Sequence, residues 1–195
     1  MTNPSAITAA QTALVLADFQ PGILANLDDA APLLARANKA LACARESGVQ
    51  VVYVRVAFTP EDYERIPLRN KTFAAVAQYK VFPADAPESQ IHEALDVRDG
   101  DIVVRKTRFG AFSTTDLYAG LHARGIDTLI IGGVSTAGVV LSTLRDAADA
   151  DFRLFVLSDV TADADPEVHC VLIEKVFPHQ AEIITTDALA GLSRG

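Results

Sequence analysis

The sequence predicts an α/β protein in which a mostly parallel, six-stranded sheet lies between two layers of helices. Apolar runs typical of buried strands alternate with segments that have helical spacing. The first run is continuously apolar, as in strands covered on both faces. With 195 residues and neither an internal repeat nor a linker, the chain is predicted to form one domain over residues 1–195. We therefore expect a Rossmann-like three-layer α/β/α sandwich.

Each predicted strand is a short apolar run that stops at a polar or turn-forming residue. The six runs span residues 12–17, 49–57, 101–105, 129–131, 152–157 and 181–185. The first run stops at Asp18-Phe19-Gln20-Pro21-Gly22, where proline and glycine end a strand. Asp18 is therefore predicted to lie at the C-terminal edge of the sheet.

The predicted helices lie between these strands. They cover about residues 28–47, 113–124, 135–147 and 165–176, and a short helix finishes the chain. Asp28 or Asp29 is the predicted N-cap of the first helix, and Gly48 ends it. Ser113-Thr114-Thr115-Asp116 fits a capping box, and Asp165-Pro166 opens the later helix. Residues 1–11 are predicted to be a polar arm.

Residues 58–99 form a long excursion between the second and third strands. Periodicity is poor and proline is frequent there, so only short helical pieces are predicted, near residues 73–78 and 88–94. A loop this long is often a lid or a subunit contact. Five aromatic residues make the segment apolar for a surface, namely Phe58, Tyr63, Phe73, Tyr79 and Phe82. We therefore expect a homodimer or a tetramer.

The composition limits the classes of partner. The net charge of -8 argues against nucleic acid and against an anionic membrane surface. No apolar run approaches the roughly 20 residues of a membrane span, and the N-terminus lacks the features of a signal peptide. Two cysteines, Cys43 and Cys170, make no disulfide framework. We expect a cytoplasmic protein whose partner is a small-molecule substrate.

The segment LIIGGVSTAGVVLSTLRDA, residues 129–147, is the centre of the predicted fold. An apolar strand breaks at Gly132-Gly133, and Ser135 or Thr136 supplies a hydroxyl at the start of a helix. Such a unit points backbone N–H groups and the positive end of a helix at one place, where open α/β sheets bind ligands. The pattern alone fits an ordinary strand-turn-helix unit equally well.

The same segment resembles the signature of the isochorismatase-like cysteine hydrolases, through Gly133-Val134-Ser135-Thr136, Val140, Thr143 and Asp146-Ala147. That superfamily includes nicotinamidases, N-carbamoylsarcosine amidases and isochorismatases. In most members a nucleophilic Cys lies six positions after the first Gly and four before the Thr. Both counts lead to Val139, so this sequence has an aliphatic residue at the position of the nucleophile.

Two further motifs extend the resemblance from about residue 13 to residue 185. Asp18-Phe19-Gln20 resembles an Asp-x-Gln motif whose Asp is the catalytic acid/base, and Lys106 in KTRFGAF matches the catalytic lysine. In the amidase members, the lysine lowers the pKa of the thiol while the aspartate takes the proton. Here, a nearby Lys106 is expected to hold Asp18 ionised. Taken alone, Asp18 reads as a turn-forming residue and Lys106 as a solvated lysine.

The resemblance also implies how the rest of the site is built. The peptide bond between Val134 and Ser135 is expected to be cis, with nearby N–H groups forming an oxyanion hole. Arg55 and Arg108 are candidates for binding a substrate carboxylate, because a guanidinium pairs with it in a bidentate way. The predicted substrate-binding residues are Gln20, Arg55, Arg108, Phe112 and Gly138. The histidine and aspartate cluster of the nicotinamidases is absent after the second strand, so neither a metal nor a cofactor is expected.

Two hypotheses for function follow. The resemblance includes isochorismatases, which also lack the Cys and fit a mechanism in which an Asp acts as general acid on a vinyl ether. Those enzymes, however, use a Gln at the position where this sequence has Val56. The first hypothesis is a hydrolase of a small, anionic metabolite in which Asp18 is the general acid or base and Lys106 its partner. The second is an inactive protein that keeps the fold as a ligand-binding or oligomeric module. An amidase using another thiol is disfavoured, because Cys170 lies outside the motif and is expected to be buried.

Overall fold

Six parallel strands form one sheet in the part of the chain that the computed structural model describes, residues 7–192. They are β1 (Thr12–Ala17), β2 (Gln50–Val56), β3 (Ile102–Lys106), β4 (Thr128–Val134), β5 (Arg153–Ala162) and β6 (Glu182–Ile184). Their order in the sheet is β3-β2-β1-β4-β5-β6. The direction of winding reverses between β1 and β4, and ligands of open α/β sheets bind outside the carboxyl ends of the strands at such a point.

Helices cover both faces of the sheet. They are α1 (Pro21–Leu24), α2 (Ala31–Ser47), α3 (Pro60–Glu64), α4 (Lys71–Tyr79), α5 (Leu117–His122), α6 (Leu141–Asp149), α7 (Pro166–Val171) and α8 (Thr186–Leu192). One turn of π-helix, Thr136–Val140, leads into α6, and another, Leu172–Val176, continues α7. The predicted polar arm begins at residues 1–6, which lie outside the described residues, while Ala9–Gln11 forms a 3₁₀ turn.

The alternation of β1 explains the three layers. Leu14 and Leu16 pack on one face of the sheet against α2 and α8, whereas Ala13 and Val15 pack on the other face against α5 and α6. All six residues of β1 are buried, as expected of a central strand with helices on both sides. The predicted α/β sandwich is thus confirmed, with every strand pair parallel.

Some local predictions were wrong. The helix predicted from residue 113 begins at Leu117, because Ser113 donates a hydrogen bond to the Gly110 carbonyl and stays in a turn. Asp116 makes no side-chain cap bond there, and the N–H of Leu117 donates to Thr115 instead. At the start of α2, Asp29 accepts the N–H of Ala31, but Ala30 is the N-cap residue.

The excursion is more ordered than predicted and packs on the chain itself. It contains α3, whose Thr59 and Asp62 form a capping box, and α4, whereas residues 88–94 form only part of a 3₁₀ turn. Phe58 and Phe73 are buried against Val56 at the end of β2. The aromatic residues from which we expected a subunit interface are therefore partly used inside this chain, and the oligomeric state stays a prediction. Within residues 7–192, the helices are too short or too polar to cross a membrane.

Gly133→Ala is expected to lower the free energy of unfolding by about 1–3 kcal/mol, because overpacked cores cost that much. A Cβ at Gly133 would lie 2.7 Å from the Ala17 carbonyl oxygen, in the paired strand β1, where backbone cannot move aside. Urea unfolding would measure the change. The control is Gly120→Ala in α5, where the nearest atom is 3.7 Å away and a better helix former should be neutral or stabilising. Equal stabilities of the two variants would contradict the packing argument.

Candidate active site

A cavity of about 320 Å³ opens at the C-terminal edge of the sheet. It is lined by Asp18, which follows β1, by Lys106 at the end of β3 and by Val139 in the turn after β4. The excursion supplies an aromatic wall that includes Phe58 and Phe73. The cavity is therefore open rather than filled by side chains, and it is large enough for a small molecule.

Asp18 and Lys106 form a buried ion pair within this cavity. Nζ of Lys106 lies 2.8 Å from Oδ2 of Asp18, and it also donates to the Arg108 carbonyl at 3.0 Å. The side chains are only 6% and 2% exposed, respectively. Asp18 has a positive φ of 58°, a conformation that Asp tolerates better than most residues, and its N–H donates to the Val54 carbonyl. The backbone thus turns at the strand end and leaves the carboxyl group inside the site.

Burial raises the pKa of Asp18 above its ordinary value, while the charge and hydrogen bond of Lys106 oppose the rise. The expectation that Lys106 would simply hold Asp18 ionised was therefore incomplete, because desolvation outweighs the ion pair. Oδ1 of Asp18 is buried and has no hydrogen-bond partner among the described residues. A buried polar atom of this kind normally has a partner, so Oδ1 is available to a substrate or a water molecule. A carboxyl group with a raised pKa suits proton transfer near neutral pH.

Val139 faces the cavity from the π-helical turn that follows β4. The residue is 2% exposed, and the turn is closed by the N–H of Gly138, which donates to Oγ of Ser135 at 3.1 Å. The peptide bond between Val134 and Ser135 is cis. Residue 139, where the resemblance leads us to expect a thiol, therefore presents to the site an aliphatic side chain that cannot attack a carbonyl.

Several N–H groups near this turn are already used by the protein. The N–H of Ala137 donates to Oδ2 of Asp163 at 2.8 Å, and the N–H of Val140 donates to the Ser135 carbonyl at 3.2 Å. The N–H of Gly138 is also occupied by Ser135. These three groups are therefore not available as the oxyanion hole that the resemblance implies.

Of the predicted substrate-binding residues, Arg108 and Gly138 line the cavity. The guanidinium carbon of Arg108 lies 5.0 Å from the centre of the Phe73 ring, an arrangement that orients a cation over an aromatic face. A Cβ at Gly138 would lie 2.7 Å from Oγ of Ser135, so this position must stay small while the turn is closed. Arg108 is thus the cation best placed to meet an anionic substrate.

The other three predicted substrate-binding residues do not line the cavity. The amide of Gln20 is saturated by backbone, because it bonds the N–H and the carbonyl of Val56 and the Ser89 carbonyl at 2.8–2.9 Å. Arg55 donates to the Ser89 carbonyl at 3.0 Å, so both side chains secure the returning part of the excursion. Phe112 stacks on Phe152 with ring centres 6.1 Å apart and packs in the core on the α5 and α6 face.

Sequence reasoning missed Asp163, which lines the cavity. The strand β5 was predicted to end at residue 157, whereas it continues to Ala162. Asp163 therefore directly follows β5, and β5 lies next to β4 in the sheet. The signal that could have found it is the short segment Val160-Thr161-Ala162, which resumes a strand-like pattern after Ser158-Asp159 and is followed directly by Asp163. Cys170 was expected to be buried but is exposed. Among the described residues, His, Cys, Asp and Glu do not come together in a group that could hold a metal ion.

The chain matches known proteins over nearly its whole length. The sequence model of the isochorismatase domain matches residues 12–188. The isochorismatase family protein YecD of Escherichia coli O157:H7 is 34% identical over 186 residues, which cover 94% of this chain and 96% of that protein. The ureidoacrylate amidohydrolase RutB of Methylorubrum extorquens is 31% identical over 185 residues, which cover 84% of this chain and 75% of that protein.

Solved structures share the fold. An isochorismatase family protein from Burkholderia thailandensis superposes with a TM-score of 0.83 at 26% identity, covering 96% of this chain and 98% of that chain. A cysteine hydrolase from Pseudomonas syringae pv. phaseolicola gives a TM-score of 0.88 at 24% identity, covering 99% and 98%. The domain match, the similar sequences and the shared sheet agree, and the chain belongs to the isochorismatase domain family.

Proposed function

We propose that this protein is a hydrolase that cleaves a small, anionic metabolite without a cysteine nucleophile. Asp18 acts as the general acid or base, and Lys106 orients it and balances its charge. The observation that carries the proposal is the buried Asp18–Lys106 pair in an open cavity, in which Oδ1 of Asp18 has no partner among the described residues. The similar protein RutB is a ureidoacrylate amidohydrolase, which supports hydrolase chemistry for this chain.

Water takes the place of the missing thiol in this proposal. Val139 has no lone pair, so the attacking oxygen comes from a bound water molecule. Because burial raises the pKa of Asp18, its carboxyl group keeps a proton to higher pH and can pass it to the leaving group. The Lys106 ammonium, 2.8 Å from the carboxyl group, stabilises the carboxylate that this transfer leaves behind.

A catalytically inactive ligand-binding protein is the alternative function, and Val139 is the observation that favours it. The open cavity suits both functions. The buried Asp18–Lys106 pair, with Oδ1 of Asp18 unpartnered among the described residues, favours the hydrolase, because ligand binding alone does not require a positioned proton donor. Burying a pair of charges costs several kcal/mol of desolvation per ion, roughly, unless the geometry compensates for it. The choice between the two therefore depends on turnover.

Purified protein is expected to release ammonia from an acid that carries a ureido group or a primary amide. The probes are N-carbamoylglycine for the ureido group and succinamate for the amide. Isochorismate tests the vinyl ether chemistry of the family. Activity should survive iodoacetamide, because the exposed thiol of Cys170 is outside the cavity and Val139 offers none. Mass spectrometry would confirm that Cys170 is alkylated. No turnover of any probe, together with calorimetric binding of one of them, would favour the ligand-binding alternative.

Arg108→Gln is expected to raise KM for succinamate by roughly 10–100-fold with a small change in kcat, because a hydrogen bond to a charged group contributes about 1.5–3 kcal/mol. Succinamide, which lacks the carboxylate, should show no such change. The matched control is Arg36→Gln, an exposed arginine on α2 that does not line this cavity. An equal effect of Arg108→Gln on both probes would show that Arg108 does not bind the carboxylate.

A further inference from the structure

Asp163 is a second carboxylate on the wall of the cavity that contains Asp18 and Lys106. It follows β5, whereas Asp18 follows β1, and β4 lies between these two strands in the sheet. The turn that carries Val139 extends from β4. The two carboxylates therefore approach the turn of the missing nucleophile from opposite sides.

The Asp163 carboxylate is held in place by backbone. Its Oδ2 accepts the N–H of Ala137 at 2.8 Å, within the turn of Val139, and its Oδ1 accepts the N–H of Asp165 at 3.3 Å. A carboxylate has about four acceptor positions, so these two bonds leave it able to accept more. Because the residue also lines the cavity, a water molecule bound there can donate to it.

We infer that Asp163 is a catalytic residue that accepts the proton of the attacking water, an inference that rests on the proposed function. The two carboxylates then divide the work that a thiol and one aspartate share in the amidases. Both line one cavity of about 320 Å³, so a small substrate that fills it contacts both.

The proposed step balances as follows for an amide or ureido substrate. The water oxygen forms a bond to the carbonyl carbon, and the water proton moves to Asp163. The bond from that carbon to nitrogen then breaks, and nitrogen leaves with the electron pair and takes a proton from Asp18. Asp163 ends protonated and Asp18 ends ionised, and exchange with solvent restores both groups before the next turnover.

Asp163→Asn is the test, because its side-chain oxygen can still accept the N–H of Ala137 while it can no longer accept the proton. We expect kcat for the succinamate probe to fall on the order of 10²-fold with KM nearly unchanged. The matched control is Asp165→Asn, two residues further on, which keeps the N-cap of α7 and should leave activity unchanged. Formate added to Asp163→Ala should restore activity roughly tenfold, by supplying a carboxylate in the vacated space.

The outcomes separate this inference from the function on which it rests. If Asp163→Asn is fully active while Asp163→Ala is not, Asp163 only holds the backbone of Ala137 and the inference falls. If formate fails to rescue a folded Asp163→Ala variant, the role as a base is contradicted even where Asp163→Asn is unstable. If Asp18→Asn is inactive while Asp163→Asn is active, the inference about Asp163 is contradicted but the proposed function is still supported. An active Asp18→Asn, or no turnover of any probe by the unaltered protein, removes both.

Discussion

Asp18→Asn is expected to lower kcat/KM for the succinamate probe by on the order of 10²-fold or more, since a positioned acid or base contributes that much. Asparagine keeps an oxygen that can accept the hydrogen bond from Lys106, and Nζ of Lys106 still donates to the Arg108 carbonyl, so the site should stay folded. Steady-state kinetics and thermal unfolding would separate the two effects. Asp127→Asn, an exposed aspartate just before β4 at the opposite edge of the sheet, is the matched control.

The role of Asp18 as a proton donor also predicts how activity changes with pH. Burial raises the pKa of Asp18 above 3.8, so the proton-donating form persists to higher pH than in an exposed aspartate. Activity should therefore fall as pH rises through that raised pKa, and the Asp18→Asn variant should lack this limb. Among the described residues, the other charged groups that line the cavity are Lys106, Arg108 and Asp163, and Lys106 opposes the rise in the pKa of Asp18. Unchanged activity in the variant would exclude Asp18 as the proton donor.

Val139→Cys is expected to create a nucleophile that forms an acyl-enzyme. The side chain faces the cavity that Asp18 and Lys106 line, and a cation near a thiol lowers its pKa and so increases the thiolate. The cysteine side chain is slightly smaller than that of valine, so the packed turn should accept it. With p-nitrophenyl acetate we expect a burst of about one nitrophenolate per chain, abolished by iodoacetamide.

Controls for this variant come from the same turn. Val140→Cys makes the same change at the next residue, but its side chain is fully buried in the core against α5 and α6 and does not line the cavity. The exposed Cys170 should be replaced by serine in every protein compared. A burst from both variants would point to a non-specific thiol reaction. A folded Val139→Cys without a burst would mean that the surroundings of residue 139 do not support acyl transfer.

The order of apolar runs, turns and helical segments by itself determined the fold. Strands of a parallel sheet read as continuous apolar runs, and β1 occupies the residues predicted for it. The juxtaposition of Asp18 and Lys106 also followed from sequence, because the carboxyl ends of parallel strands share one edge and the family motifs name both residues. These properties depend on the local sequence pattern and on the common direction of the parallel strands.

Only the tertiary structure decided which polar groups face the cavity. Gln20 and Arg55 come from the right strand ends, but carbonyls of the distant excursion take their hydrogen bonds. Asp163 reaches the site because β5 runs farther than its apolar pattern indicates. The raised pKa of Asp18 likewise reflects its burial in the folded chain. Hydrogen bonding and desolvation depend on neighbours in space, and a linear sequence specifies those neighbours only after the chain has folded.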